Sequence, residues 1–93
     1  MSTKAYVLID PVHGKSEQVI ETLRNKPGVV AVDYVEGPPD VIMMIRATQR
    51  QELVKLAIDA LLSVEGLTEG VKCLPVIEEG IPGSKNQMVG REL

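Results

Sequence analysis

The run Val41-Ile42-Met43-Met44-Ile45 constrains this chain more than any other stretch. It is apolar without a break and is entered from the turn Glu36-Gly37-Pro38-Pro39-Asp40. Strand side chains alternate between faces, so a strand that is wet on one face shows a polar residue at every second position. This one does not, and both of its faces need cover. Before the turn, Val29 to Val35 reads as the partner strand, with Val30, Val32 and Tyr34 on one side and Ala31, Asp33 and Val35 on the other. The stretch from Val29 to Ala47 is thus one hairpin. A chain of 93 residues has room for a single modest core, so the second face of the hairpin is expected to be covered by another copy of the chain.

The remaining elements follow from periodicity. Ala5, Val7 and Ile9 alternate with Tyr6, Leu8 and Asp10 in a first strand that Pro11 closes. Val19, Ile20 and Leu23 recur at helical spacing, and the helix they define should stop at Lys26-Pro27-Gly28. Thr48 followed by Gln51 fits a capping box, which would start a second helix. Its stripe is Leu53, Leu56, Ala57, Ala60, Leu61 and Val64, with Gly66 as the stop. Val71 to Ile77 reads as the last strand, and Pro75, which cannot donate to a ladder, assigns it to an edge.

The order strand, helix, strand, strand, helix, strand predicts an α+β fold, a ferredoxin-like βαββαβ sandwich over residues 1–77. Leu23 stands five residues before Gly28 and Leu61 five before Gly66, an echo that suggests a duplicated half. Right-handed crossovers then place the first and third strands in the centre. Residues 78–93 lose all periodicity and read as a tail, either disordered or lying on a neighbour. With both helices on one face, the other face is bare and apolar, and Met43 and Met44 point to opposite faces. Sheet-to-sheet packing of two copies, a dimeric α/β barrel, answers that exposure.

Composition removes several function classes. The formal charge is −3, whereas a nucleic-acid surface needs clustered Lys and Arg. The lone Cys73 cannot form an internal disulfide, Met1-Ser2-Thr3-Lys4 does not begin a signal peptide, and no apolar run approaches a membrane span, so the expected address is cytoplasmic. His13 follows the first strand without a second His or an acid cluster at metal spacing, and reads as an exposed loop residue. Cys73 has no His placed beside it by the sequence. Gly80, Gly83 and Gly90 match no nucleotide-binding pattern. These residues name no catalytic group, no metal site and no cofactor.

The turn Gly37-Pro38-Pro39-Asp40 carries more information, because two prolines fix its shape and Asp40 offers an acceptor where the strand begins. Its bland reading is a rigid hairpin turn. Its functional reading is a holder for a small polar ligand, with the loop Glu65 to Lys72 of a neighbouring subunit as companion.

Together, Ala5-Tyr6-Val7-Leu8-Ile9, Gly14-Lys15, Val19-Ile20-x-x-Leu23, Pro27-Gly28-Val29-Val30, Val35-x-Gly37-x-x-Asp40-Val41-Ile42 and Gly66-Leu67-Thr68 resemble the effector-binding (RAM) domain of the Lrp/AsnC family over about Lys4 to Ile77. The resemblance implies a homodimer joined through its sheets, rings of dimers such as octamers, and a small-molecule effector, an amino acid in many members. It implies ligand contacts at Gly37, Pro38, Pro39, Asp40, Thr68, Gly70 and Lys72. Two departures are visible. The chain enters its first strand at about Lys4 with no preceding helix-turn-helix, like the stand-alone members, which implies an Lrp/AsnC-type partner wherever DNA is to be read. Gly70 and Lys72 stand where members of the family often carry threonines. The expected function is therefore a metabolite-sensing regulatory module without enzyme activity. The alternatives are a small dimeric α/β-barrel enzyme using His13 or Asp40 as base, and a purely structural oligomerisation module.

Overall fold

The computed structural model describes residues 2–76. Strands β1 (Thr3–Pro11), β2 (Val29–Tyr34), β3 (Val41–Ala47) and β4 (Thr68–Pro75) form one antiparallel sheet in the order β2-β3-β1-β4. Helices α1 (Ser16–Arg24) and α2 (Arg50–Leu62) cover one of its faces. The expected α+β βαββαβ fold is the one observed, with β1 and β3 central and the proline-bearing β4 at an edge. The tail from residue 78 and Ile77 lie outside the described residues.

Alternation decides which side chains make the core. Ala5, Val7 and Ile9 of β1 and Val41, Met43, Ile45 and Ala47 of β3 point under the helices and are buried. Their neighbours Tyr6, Leu8, Ile42 and Met44 lie on the opposite face and are only half-buried. From α1 come Val19, Ile20 and Leu23, and from α2 Leu53, Ala57 and Ala60, with Val64 just beyond. Full burial of a side chain such as Leu23 stabilises the fold by about 1.5–3 kcal/mol. The core holds no buried polar or charged residue among those described, so it contributes packing and no chemistry.

Gly28 sets how closely the α1–β2 connection approaches the rest. Its φ of +81° is one that side chains with a Cβ disfavour. A Cβ there would also stand 2.6 Å from Leu56 Cδ1 and 3.2 Å from the Arg46 carbonyl oxygen. The close contact lets the Arg46 N–H donate to the Gly28 carbonyl at 2.9 Å. Gly66 does not repeat this, because it lies inside a short 3-10 turn, Glu65–Leu67, with open space where its Cβ would be. The spacing echo between the two halves is therefore not an echo in backbone conformation.

Four other expectations are corrected. Thr48 does not cap α2: the N-cap is Gln49, without a side-chain cap bond, and the Thr48 hydroxyl donates instead to a Glu52 carboxylate oxygen at 3.0 Å. The helix begins one residue later than a capping box requires, which moves Gln51 out of the reciprocal position. Next, α2 ends at Leu62, before Gly66 is reached, with the Ser63 hydroxyl bonded to the Ala60 carbonyl. The third is β4, which starts at Thr68 rather than Val71, so Thr68 to Gly70 belongs to the strand and not to the loop before it. Last, the register of β2 shifts between Val29 and Ala31, leaving Val30 exposed while Val29 faces Ile45 and packs on the core. A bulge of this kind breaks the alternation on which the sequence reading relied.

Candidate functional site

The sheet order brings the turn and the start of β4 to one end of the molecule. Ile9 of β1 pairs with Val41 on one side and Val71 on the other, so the segments just before those residues flank the end of the same strand. With neighbouring strands about 4.8 Å apart, the two segments are separated by about 10 Å within a single chain. The sequence reading places this meeting between subunits. The geometry makes it intramolecular first.

Two concavities result, one on each side of the hairpin. On the open sheet face, Pro38 and Pro39 overhang Leu8, Asp10, Gly70 and Lys72 around a depression of about 290 Å³. Asp10 stands opposite Gly70 and Leu8 opposite Lys72 in the ladder, so one acid and one base lie on this face with no side chain between them at Gly70. On the helix side, Asp40 and Tyr34 join His13, Glu17, Glu21 and Glu69 around a larger cleft of about 830 Å³. Arg24 also borders that cleft, but its guanidinium is held by the Val32 carbonyl, which accepts from Nε at 3.2 Å and Nη2 at 2.8 Å.

The seven residues named from the sequence are therefore divided. Pro38, Pro39, Gly70 and Lys72 share the open-face depression, and Asp40 belongs to the helix-side cleft. Gly37 and Thr68 line neither concavity. Gly37 has a steric task, since a Cβ there would collide with the Asp40 carboxylate and the Pro39 carbonyl. Thr68 faces Pro11 across a register shift and is half-buried. The hairpin is closed by the Val35 N–H donating to the Asp40 carbonyl at 2.6 Å. His13 and Asp40, the two residues weighed as bases, border the same cleft, and Cys73 is an exposed thiol on the edge strand.

Sequence reading missed Asp10, Leu8 and Tyr34. The signal for Asp10 was its place at the polar end of an otherwise apolar strand, directly before the turn-forming Pro11. Tyr34 shares a strand face with the buried Val32 in the sequence pattern, yet it is exposed and borders the cleft beside α1. Among the described residues, no helix is long and apolar enough to cross a membrane.

A four-stranded antiparallel sheet with two helices on one face defines a small α+β module with a concavity on each side of its hairpin. The chain belongs to the Lrp/AsnC ligand binding domain family, whose model matches residues 4–82. It is 34% identical over 74 residues to an uncharacterized HTH-type transcriptional regulator of Pyrococcus furiosus, a match covering 76% of this chain and 49% of that protein. A regulator of the same description from Pyrococcus abyssi is 32% identical over 74 residues, with the same coverage. The chain thus spans about half the length of the curated relatives it matches. Among solved structures, TTHA0845 from Thermus thermophilus superposes with a TM-score of 0.74 at 27% identity, covering 87% of this chain and 99% of that one. A transcriptional regulator of Neisseria meningitidis in complex with L-Met shares the fold at TM-score 0.65 and 16% identity, over 91% of this chain and 56% of that one. A putative antibiotic biosynthesis monooxygenase from Chloroflexus aurantiacus also shares it, at TM-score 0.60 and 12% identity, over 89% and 98%.

Proposed function

We propose that this domain senses a small zwitterionic metabolite, an amino acid first among the candidates, at the end of the sheet where the Gly37–Asp40 turn overhangs Thr68–Lys72. The observation that carries the reading is the pairing of opposite charges beneath Pro38 and Pro39. Lys72 offers an ammonium and Asp10 a carboxylate on the same open face, with Gly70 leaving room between them. An amino acid presents the complementary pair, a carboxylate for Lys72 and an ammonium for Asp10. Asp40 borders the adjoining cleft and supplies a second acceptor at the rim. Membership of a ligand-binding family whose curated relatives are transcriptional regulators supports sensing over catalysis. The L-Met complex of the Neisseria regulator makes methionine a natural first probe.

The working unit in this reading is a homodimer packed through the open sheet faces, on which Tyr6, Leu8, Ile42 and Met44 are half-buried in the single chain. Dimers of that kind can assemble further into a ring such as an octamer. Covering that face would also bring a second chain close to the depression, which borders it.

Calorimetry of the full chain against the common amino acids tests the proposal. A charge-assisted hydrogen bond contributes roughly 1.5–3 kcal/mol, so Lys72→Ala and Asp40→Ala should each weaken binding by about ten- to a hundredfold while leaving the fold intact. Binding by none of them defeats the reading. Binding unchanged by Asp40→Ala but weakened by Lys72→Ala confines the site to the open face, and the turn is then only an overhang.

A further inference from the structure

Among the described residues, Gly70 is the one glycine that lies within a strand, and nothing in the fold requires it there. Gly14 and Gly28 adopt positive φ, a Cβ on Gly37 would collide with Asp40, and Gly66 sits in a 3-10 turn. Gly70 has a φ outside the left-handed region, and beyond its chain neighbours a Cβ built on it would meet only the Asp10 Cβ, at an ordinary 3.7 Å. A glycine weakens a strand, because it loses more backbone freedom on folding and brings no side chain to pack. Where neither backbone nor neighbours demand it, its remaining use is to let something approach the sheet closely.

The ladder around Gly70 says what that is. Asp10 stands opposite Gly70 and Leu8 opposite Lys72, so the four positions form a parallelogram on the open face. Asp10 and Lys72 end one diagonal, with Cβ atoms about 7–8 Å apart, and Leu8 and Gly70 end the other. A zwitterionic head stretched from Asp10 to Lys72 holds its α-carbon over the crossing point, and the branch at that carbon then runs along the second diagonal. One direction meets Leu8. The other enters the empty corner at Gly70. We infer that Gly70 sets the size of the ligand: the corner it leaves open receives an apolar side chain, so the site selects amino acids of leucine or methionine size over alanine and over those with a charged side chain. This selection rests on the zwitterion reading of the site proposed above.

The walls of the depression agree with an apolar branch. Asp10 and Lys72 are its two charged side chains, and both are taken by the head of the ligand. What remains besides Gly70 is hydrocarbon, from Leu8, Val71, Pro38 and Pro39. A charged side chain placed there would give up water without gaining a partner, which is costly. The volume sets the other bound. About 290 Å³ lies at the small end of ligand pockets, which suits one amino acid rather than a peptide or a nucleotide. A branched residue at Gly70 would leave the strand intact and take up the corner itself.

Calorimetry of the full chain, of Gly70→Val and of Lys72→Ala against alanine, leucine, methionine and glutamate tests the inference. The unmodified chain should bind leucine or methionine at least ~tenfold more tightly than alanine or glutamate, since a methylene in an apolar pocket changes affinity by about tenfold or more. Gly70→Val should lower the preference over alanine at least ~tenfold by weakening the larger ligands, whereas Lys72→Ala should weaken every ligand and leave the preference as it was. Equal weakening of all ligands by Gly70→Val, or none, overturns size selection and leaves the zwitterion reading standing. Binding of no amino acid by the unmodified chain defeats both. A second arm needs no ligand: Gly70→Ala should raise the thermal midpoint by about 2–8 °C, because alanine fits the strand and narrows the unfolded ensemble. A lowered midpoint means that the fold needs the glycine, and overturns the inference. Sedimentation closes the last route, since loss of a dimer in Gly70→Val with the ligand preference unchanged would assign the close approach to a second chain instead.

Discussion

Met43 and Met44 are adjacent, chemically identical and on opposite faces of the same central strand. Met43 is wholly buried beneath the helices, among Val7, Val19 and Leu23. Met44 lies between Tyr6 and Ala31 on the open face and is only half-buried. The difference between them is which layer covers them. The first face is covered by α1 and α2 of the same chain and is complete as folding ends. The second is as apolar along β3, with Ile42 and Met44, but is flanked by Lys4, Asp10, Asp33 and Lys72. That mixture suits a surface which is exposed in one state and covered in another.

The sharpest way to break this comparison is to charge each methionine in turn. Met43→Lys places an ammonium in a core that contains no polar partner among the described residues, and desolvating a lone charge there costs several kcal/mol. Domains of this size are stable by only about 5–15 kcal/mol, so the variant should be largely unfolded by circular dichroism at 25 °C. Met44→Lys should keep its native spectrum, because the side chain can reach water along the open face. Its effect should appear in sedimentation, as loss of the sheet-to-sheet dimer. If both variants unfold, the open face is part of the fold rather than a contact surface; if both stay dimeric, the sheets do not meet.

The sequence divided the central strands into two faces but did not say which of them the helices cover. Alternation in β1 and β3 sorted their residues, both sets apolar, and only helical spacing at Val19, Ile20 and Leu23 picked out by itself residues that are in fact buried. The strand order also followed, since Pro75 at an edge and two crossovers leave little choice. What was hidden depends on departures from period. The register shift at Val29–Ala31 sent Val30 outward, and the late start of α2 turned the Thr48 capping box into a bond with Glu52. The site suffered most. Starting the last strand at Val71 concealed that Gly70 is also a strand residue, and with it the pairing of Gly70 with Asp10 and of Lys72 with Leu8 that fixes their shared face. Asp10 was thereby overlooked.

The same comparison can be made with a single methylene. Ile45 is fully buried under α2 beside Ala5 and Leu53, while Ile42, three residues earlier, is half-buried on the open face opposite Leu8. Ile→Val removes the same atoms at both positions, and in a close-packed core it typically costs about 0.5–1.5 kcal/mol because neighbours relax only in part. Ile45→Val should show that loss at every protein concentration, as a lower denaturation midpoint with an unchanged slope. Ile42→Val should be nearly neutral in dilute solution, where no second sheet presses on it and water already reaches the group removed. At concentrations where dimers prevail, the two curves should converge, since the lost methyl now belongs to a covered interface and stability is linked to association. Denaturation of both variants at low and high protein concentration measures the convergence. A loss at Ile42 that does not grow with concentration means that no second sheet covers the open face.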